Sequence, residues 1–416
     1  MDLPINRNIP YIMHIDLNSA FASIEQQAYV HLRGRPIAVA AYSSPNACVI
    51  APSIEAKTFG VKVGNTVREA KQLCPQIIIR TPDPAKYRAV HTKFRDLFRE
   101  YSPDVVPKSI DEAVIDFEGT PILRNKNLID VGHEIKKRMK DEIGDWLRCS
   151  IGIGTNRFLA KTAASLHKPD GLDVIDCTNI QDVYSKLNLI DLCGINTRFQ
   201  TRLNAGGIFT PTDFFNSTLS TLQKEVFKSI LGYYWYLRLR GWEIDAVDFK
   251  RKSFGNSYAL GKKTSDKKEL ATLLMKLCEK TGRRLRHSGF TAQGIHVSFI
   301  YDDWTYWHKG KTLDEFIYTS SEIYLKALRI LNAQPQEKVV REIAVSVFNL
   351  SSDKTIQTDI FDTDRKRLVA DAMDNINDKY GEFVITPALM MGMNDTILDR
   401  VAFGGIKELE EIYLNN

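Results

Sequence analysis

Tyr11–Leu17 is a short apolar run with β-branched members and reads as a buried strand. The spacing after it, over Asn18–Val30, predicts a helix punctuated by Ser19 and Ser23. Pro36–Ala41 and Ala47–Ala51 read as two further strands. Ile54–Phe59 and Arg68–Leu73 read as short helices separated by the turn-prone Gly60 and Gly64. Ala85–Tyr101 shows an apolar face at Val90, Phe94, Leu97 and Phe98 and is closed by Pro103. Ala113–Phe117 is a predicted strand, Ile129–Ile143 a helix and Arg148–Ile153 a strand. Strands and helices alternate, so this part of the chain is expected to be α/β or α+β.

From about Cys177 to Gly241 the pattern changes to short helices. Leu192–Asn196, with Gly194 at its centre, is a predicted tight turn between helices Ile180–Leu189 and Thr197–Ala205. A helix–hairpin–helix has this pattern, and its backbone N–H groups can cradle a DNA phosphate. Any αα-hairpin also needs a glycine there, so a purely structural turn remains open. Beyond a polar stretch, Glu243–Lys252, the expected order is strand Ser253–Leu260, helix Lys267–His287, strand Gly294–Ile300, strand Thr305–Lys309, helix Ser321–Leu331, strand Val340–Asn349. That is a β-α-β-β-α-β unit on a four-stranded sheet. One more amphipathic helix, Lys366–Tyr380, follows.

The length of 416 residues implies two to four domains at roughly 100–200 residues each. Hydrophobic residues at 44% and charged residues at 26% exclude wholesale disorder. The chain has no run of about 18 apolar residues to span a bilayer and no basic-then-apolar leader at its start. Six cysteines without a C-x-x-C pair argue for reduced thiols in a cytoplasm, and against a zinc site or disulfide framework. Charge is unevenly placed. Between Lys250 and Arg286 twelve bases face three acids, whereas from Ser352 onward seven bases face thirteen acids. A basic segment of this kind suits a nucleic-acid partner, although a solvated helical face would look the same.

The sharpest chemical signal is acidic. Asp16 ends a predicted buried strand, and Asp111 and Glu112 directly precede another. Carboxylates at such positions are costly unless their charge is compensated. Mg²⁺ prefers a few carboxylates plus substrate phosphate oxygens, and a metal pair stabilises the entering and leaving oxygens of an in-line phosphoryl transfer. Turn or cap carboxylates are the plainer alternative, because the two segments lie far apart in the chain.

Asp16-Leu17-Asn18-Ser19-Ala20-Phe21-Ala22-Ser23-Ile24-Glu25 resembles the opening motif of the Y-family translesion DNA polymerases, and Ser109-Ile110-Asp111-Glu112-Ala113 resembles that family's second metal motif. Gly152-Ile153-Gly154 with Asn156, Leu159-Ala160-Lys161 and Lys168-Pro169-Asp170-Gly171 resemble its third block. The blocks occur in the family's order, and the resemblance runs from about Ile12 to Asn349. Cys48-Val49-Ile50-Ala51 with Glu55-Ala56-Lys57 looks most like the branch holding the catalytic subunit of bacterial polymerase V. Ile54 and Lys57 stand where many polymerase IV-like members have a Tyr and an Arg, so Lys57 meets a triphosphate as a point charge without a bidentate fork.

The resemblance implies an α+β multidomain, right-hand polymerase. A ferredoxin-like palm would comprise residues 10–19 and 87–175, with small fingers at 20–86 and a helical thumb at 176–240. A linker at 241–252, a β-α-β-β-α-β little finger at 253–351 and a C-terminal segment at 352–416 would follow. It implies that Asp16, Asp111 and Glu112, with the carbonyl of Leu17, hold two Mg²⁺ ions. Phe21 would be a steric gate against a ribose 2′-hydroxyl, and Lys168 and Lys57 would meet the triphosphate. Glu25 follows the same motif and also suits a structural role. Primer–template DNA would contact Gly194 of the thumb turn and Lys262, Lys263, Arg283 and Arg284 of the basic cluster. Gln357, Ile360 and Phe361 resemble the short peptide that binds the bacterial sliding clamp, and the polymerase V branch adds a recombinase filament or accessory subunit as a partner. The implied activity is error-prone, template-directed addition of deoxynucleotides past damaged bases, because short fingers leave the nascent pair uncovered. A two-metal nuclease or cyclase, and a DNA-binding scaffold without metal, are the competing classes; the latter would not retain all three carboxylates.

Overall fold

The computed structural model describes residues 4–247, 251–335, 337–352, 363–393 and 396–397. The chain divides into two compact units that meet in sequence between Asp248 and Phe249.

Among the described residues the first unit has eight strands: β1 Ile12–Leu17, β2 Ile37–Ala40, β3 Val49–Pro52, β4 Ile78–Arg80, β5 Val105–Pro107, β6 Glu112–Asp116, β7 Cys149–Gly154 and β8 Leu172–Ile175. Five of them form a sheet in the order β5-β6-β1-β7-β8, in which β1 runs antiparallel to both neighbours and β7 is parallel to β8. As the central strand, β1 is covered on both faces, which is why its sequence reads as an apolar run without clean alternation. Ile15 and Leu17 face the helix Pro84–Arg99, while Ile12 packs with Val114 against Ala160 of the helix Arg157–Leu166. That second helix lies very close to the sheet: a Cβ on Gly152 would fall 2.0 Å from the Ala160 carbonyl oxygen. Asn156 caps it by accepting from the Leu159 N–H at 2.7 Å.

A smaller sheet, ordered β3-β2-β4, packs Ala38 and Val49 against Ala56 and Ala70 of the helices Ile54–Thr58 and Val67–Leu73. Ser53 caps the first of these helices, and a Thr66–Glu69 capping box starts the second. The remainder of the unit is helical: Ile180–Lys186, Thr197–Ala205, Pro211–Asn216 and Leu231–Leu239 surround a core containing Tyr184, Phe214, Leu222 and Trp235.

The pattern-based expectations differ from the structure in instructive places. Strands β4, β5 and β8 and the helix Arg157–Leu166 do not stand out in the sequence. The three strands are only three or four residues long. The helix is only ten residues long and buries the polar Arg157 and Thr162 along with Phe158, Leu159, Ala160, Ala163 and Ala164. The helix expected to run to Leu189 ends at Lys186.

The second unit contains β9 Ser253–Thr264, β10 Phe290–Tyr301, β11 Tyr306–Ile317 and β12 Val340–Ser352 in an all-antiparallel sheet ordered β11-β10-β12-β9. Helices Lys267–His287 and Ser320–Asn332 complete the expected β-α-β-β-α-β order and share one core with the sheet. Strand β11 is longer than its apolar pattern suggested. It lies at the sheet edge, where the ladder to β10 holds it while most of its side chains stay exposed.

Residues 363–393 are not a segment apart. The helix Thr363–Tyr380 packs against Lys267–His287 through a buried Arg286–Asp374 pair at 2.6 Å. Tyr318 donates to Asp371 at 2.7 Å, and the Lys276 ammonium donates to the Met393 carbonyl at 2.7 Å. All six cysteines are free. Among the described residues no helix is long and apolar enough to cross a membrane.

Candidate functional site

Antiparallel pairing brings the two acidic segments together. Asp16 of β1 lies directly opposite Glu112 of β6 on one side and Ser150 of β7 on the other. Asp111 is fixed to the same strand end, because its carbonyl accepts from the Leu17 N–H at 2.9 Å. Ser109 donates to the Asp111 carboxylate. Asp16, Leu17, Asp111 and Glu112 therefore meet at one corner of the sheet.

Two lysines from the third sequence block serve as counter-ions there. Lys168 Nζ lies 2.9 Å from Asp16 Oδ1, and Lys161 Nζ lies 2.7 Å from Glu112 Oε2. Burial pushes the Asp16 carboxyl up to about 6, against the pull of Lys168. Burial also raises Asp111. For Glu112 burial acts upward as well, but the hydrogen bond and charge of Lys161 outweigh it and hold the carboxyl below its ordinary value. The site thus concentrates negative charge that its own lysines only partly offset. His14, on the same face of β1, reaches within 3.6 Å of Glu112 Oε2. Burial lowers its pKa to about 3, so the imidazole carries no charge near neutrality.

Asn18 organises the approach. Its side chain donates to Ser150 at 3.0 Å and accepts from the Asp170 N–H at 2.7 Å, which ties the loop bearing Lys168 to the end of β1. The carboxylate of Asp170 in turn pairs with Lys136 at 2.9 Å. Gly171 is required in this loop, since a Cβ there would sit 2.3 Å from the His167 carbonyl oxygen. Lys57, in the helix Ile54–Thr58, is exposed. Its pKa is lowered by partial desolvation of the ammonium and then by Lys168, with Asp16 acting in the opposite sense, so it belongs to the same electrostatic cluster.

Phe21, in the helix Ala20–Ala28 that follows β1, is buried and stacked on Tyr87 with centroids 4.4 Å apart at 13°. Tyr87 donates to the buried Glu25 carboxylate at 3.1 Å, which also receives Lys86 at 2.9 Å and Arg80 at 3.5 Å. Glu25 therefore acts structurally, and Tyr87 buttresses the phenyl ring. Lys161 lies within the third block, although no role is expected of it, whereas Tyr87 and His14 are marked in the sequence only by membership of the helical and strand patterns around the motifs.

A cleft of about 740 Å³ opens beside the carboxylates, lined by Asp111, Glu112, Lys161, Gly194, Trp235 and Arg238 among others. Gly194 takes a positive φ of 88° there, packed against Trp235.

The basic cluster of the second unit makes contacts within its own unit. Arg283 pairs with Asp378, and Arg284 donates to the Gly255 carbonyl at 3.1 Å. Lys263 pairs with Asp302, while Lys262 is exposed. Within the run, Asp374 and Asp378 of the helix Thr363–Tyr380 pair with Arg286 and Arg283, whereas Arg284 is half-buried and bonded to a neutral carbonyl. Gln357, Ile360 and Phe361 lie outside the described residues.

Residues 15–165 match the impB/mucB/samB family model, and residues 251–360 match the model of that family's C-terminal domain. The chain is 31% identical over 387 residues to the DNA polymerase IV of Pelotomaculum thermopropionicum, covering 91% of this chain and 95% of that protein. It is 32% identical over 357 residues to the DNA polymerase IV of Clostridioides difficile, covering 84% and 95%. Among solved structures, a Dbh-based Y-family DNA polymerase chimera superposes with a TM-score of 0.72 at 26% identity, covering 82% of this chain and 98% of that one. A post-insertion binary complex of Dbh DNA polymerase gives 0.58 at 26%, with the same coverage.

Proposed function

Because the chain belongs to the impB/mucB/samB family of Y-family translesion DNA polymerases, on its polymerase IV side, we propose that its nucleotidyl-transfer centre is the corner where Asp16, Asp111 and Glu112 converge. The protein is a DNA-directed DNA polymerase of the translesion type, and polymerases of this family use divalent metal ions. The observation that carries the site assignment is the register: Asp16 faces Glu112 across β1 and β6, and Asp111 is hydrogen-bonded to the end of the same strand.

The donor set is all oxygen, which fits Mg²⁺. The burial that raises Asp16 to about 6 leaves a charge deficit that a cation would relieve. Asp16, Asp111, Glu112 and the Leu17 carbonyl would hold two such ions. When bound, they stabilise the charge that develops on the entering and leaving oxygens of phosphoryl transfer. The protein's own residues do the rest. Lys168, held on Asp16 by a half-exposed ammonium, is placed to exchange that carboxylate for a triphosphate oxygen, and Lys57 adds a second positive charge from the helix Ile54–Thr58. Phe21, stacked on Tyr87, offers a rigid wall to the sugar. The five-stranded sheet serves as the palm, the three-stranded sheet as the fingers, the helical stretch as the thumb and the second unit as the little finger. Primer–template DNA and a deoxynucleoside triphosphate are the substrates, and Gly194, Lys262, Lys263, Arg283 and Arg284 are the DNA contacts of this reading.

Primer extension tests the assignment. Asp111→Ala or Glu112→Ala should lower nucleotide addition on the order of 10³-fold or more while primer–template affinity stays near wild type. Wild-type-like extension by either variant would refute it.

A further inference from the structure

We propose that His14 is a positioning residue whose Nε2–H becomes the fixed hydrogen-bond donor to Glu112 when a divalent cation displaces Lys161; this rests on the reading that Glu112 holds such an ion. Two donors converge on one oxygen. Glu112 Oε2 accepts from Lys161 Nζ at 2.7 Å, and His14 Nε2 lies 3.6 Å from the same atom. At that separation His14 is a few tenths of an ångström outside hydrogen-bond range. Its Nε2 is buried and has no partner, an arrangement that is costly to keep unless some state of the protein uses the atom.

The two donors differ in what they do when a divalent charge arrives. The Lys161 side chain is 35% exposed on the cleft, and its ammonium is repelled by a neighbouring cation, so it leaves readily into solvent. His14 is 2% exposed and sits opposite Val114 and Gly152 in the centre of the sheet, beneath the helix Arg157–Leu166. Packed between its two neighbouring strands, the ring cannot move away. A small rotation of the Glu112 carboxylate closes the remaining gap. The released oxygen then has a donor waiting, which fixes the direction of the remaining lone pairs toward the metal. Partners of this kind behind a metal-bound carboxylate typically contribute 10–100-fold to metal affinity.

The test uses the full chain bound to a dideoxy-terminated primer–template and a deoxynucleoside triphosphate, with Mn²⁺ as the probe and its free signal followed by electron paramagnetic resonance. His14→Phe and His14→Leu, two apolar replacements of different shape, should each weaken Mn²⁺ binding 10–100-fold with DNA affinity unchanged. His14→Gln, which restores an N–H donor, should recover most of the loss. Melting in EDTA identifies any variant that has lost its fold, and the other apolar variant then carries the comparison. Unchanged Mn²⁺ affinity in the folded apolar variants would overturn the inference. So would strong nitrogen coupling in the pulsed spectrum of bound Mn²⁺, which would make His14 a ligand. An equal loss in Lys161→Met would assign the positioning to Lys161 instead. Glu112→Ala separates the two levels: if it leaves Mn²⁺ binding intact, the carboxylate assignment fails, whereas a loss there without a loss at His14 refutes only the role of His14.

Discussion

Asp16→Asn should make the metal-free protein more stable while making it inactive. In the structure the Asp16 side chain is 16% exposed, and burial raises its pKa from 3.8 to about 6 despite Lys168 at 2.9 Å. A folded-state value above the unfolded one means that the proton is bound more tightly in the folded state. The associated stability is fully present below about 3.8 and is lost as pH rises through about 6. At about 1.36 kcal/mol per unit, a rise from 3.8 to about 6 corresponds to about 3 kcal/mol of destabilisation at pH 7.5. The Asp16 side chain keeps 16% exposure, so solvent relieves part of the burial cost, and a range of about 1–3 kcal/mol is the appropriate expectation. Asparagine mimics the protonated acid: it keeps the shape, offers an N–H to Glu112 and carries no charge. In EDTA at pH 7.5 the variant should therefore unfold at higher denaturant. A thermal midpoint several degrees above wild type is expected, at about 2–4 °C per kcal/mol for a unit of this size. At pH 5 the gap should shrink, because wild-type Asp16 is then largely protonated. Added Mg²⁺ should narrow the gap at pH 7.5, since it binds the wild-type carboxylate and stabilises the folded state. Primer extension by the variant should fall on the order of 10³-fold or more. A less stable Asp16→Asn in EDTA at pH 7.5, or a gap equal at pH 5 and 7.5, would refute the claim that buried charge at this position is held against the fold for the sake of the reaction.

Phe21→Leu should raise the ratio of ribonucleotide to deoxynucleotide incorporation, on the order of 10²-fold in relative kcat/KM, by relieving a clash and not by breaking an attraction; an unchanged ratio would end the gate assignment. Asp374→Ala leaves Arg286 buried without its carboxylate and should destabilise the second unit by about 3–5 kcal/mol, read as early loss of that unit in denaturant. Gly152→Ala should prevent the helix Arg157–Leu166 from docking on the five-stranded sheet, because the added methyl would meet main-chain atoms at 2.0–2.1 Å. Soluble, active protein at wild-type yield would contradict that packing.

Elements with strong periodicity, and the chemistry carried by contiguous motifs, were legible along the chain. Helices Thr197–Ala205 and Lys267–His287 run over the residues that their spacing predicts. The order of strands and helices in the second unit was equally legible, because each element there repeats its pattern over enough residues to be distinguished. The carboxylates of the opening and second motifs, and the family they indicate, were readable because such motifs are local in sequence. Tertiary structure alone decided which residues are partners. That Asp16 faces Glu112 follows from an antiparallel register between strands far apart in the chain, and a slip of one residue would turn one of them to the other face of the sheet. Tyr87 became the support for Phe21, and Glu25 its anchor, only through the docking of the helix Pro84–Arg99. Charge read along the chain marked Lys250–Arg286 as a basic segment suited to a nucleic acid or to a solvated helical face. In the fold Asp378 and Asp374 of the helix Thr363–Tyr380 pair with Arg283 and Arg286, because ion pairs form between groups adjacent in space, and separation along the chain does not report that distance.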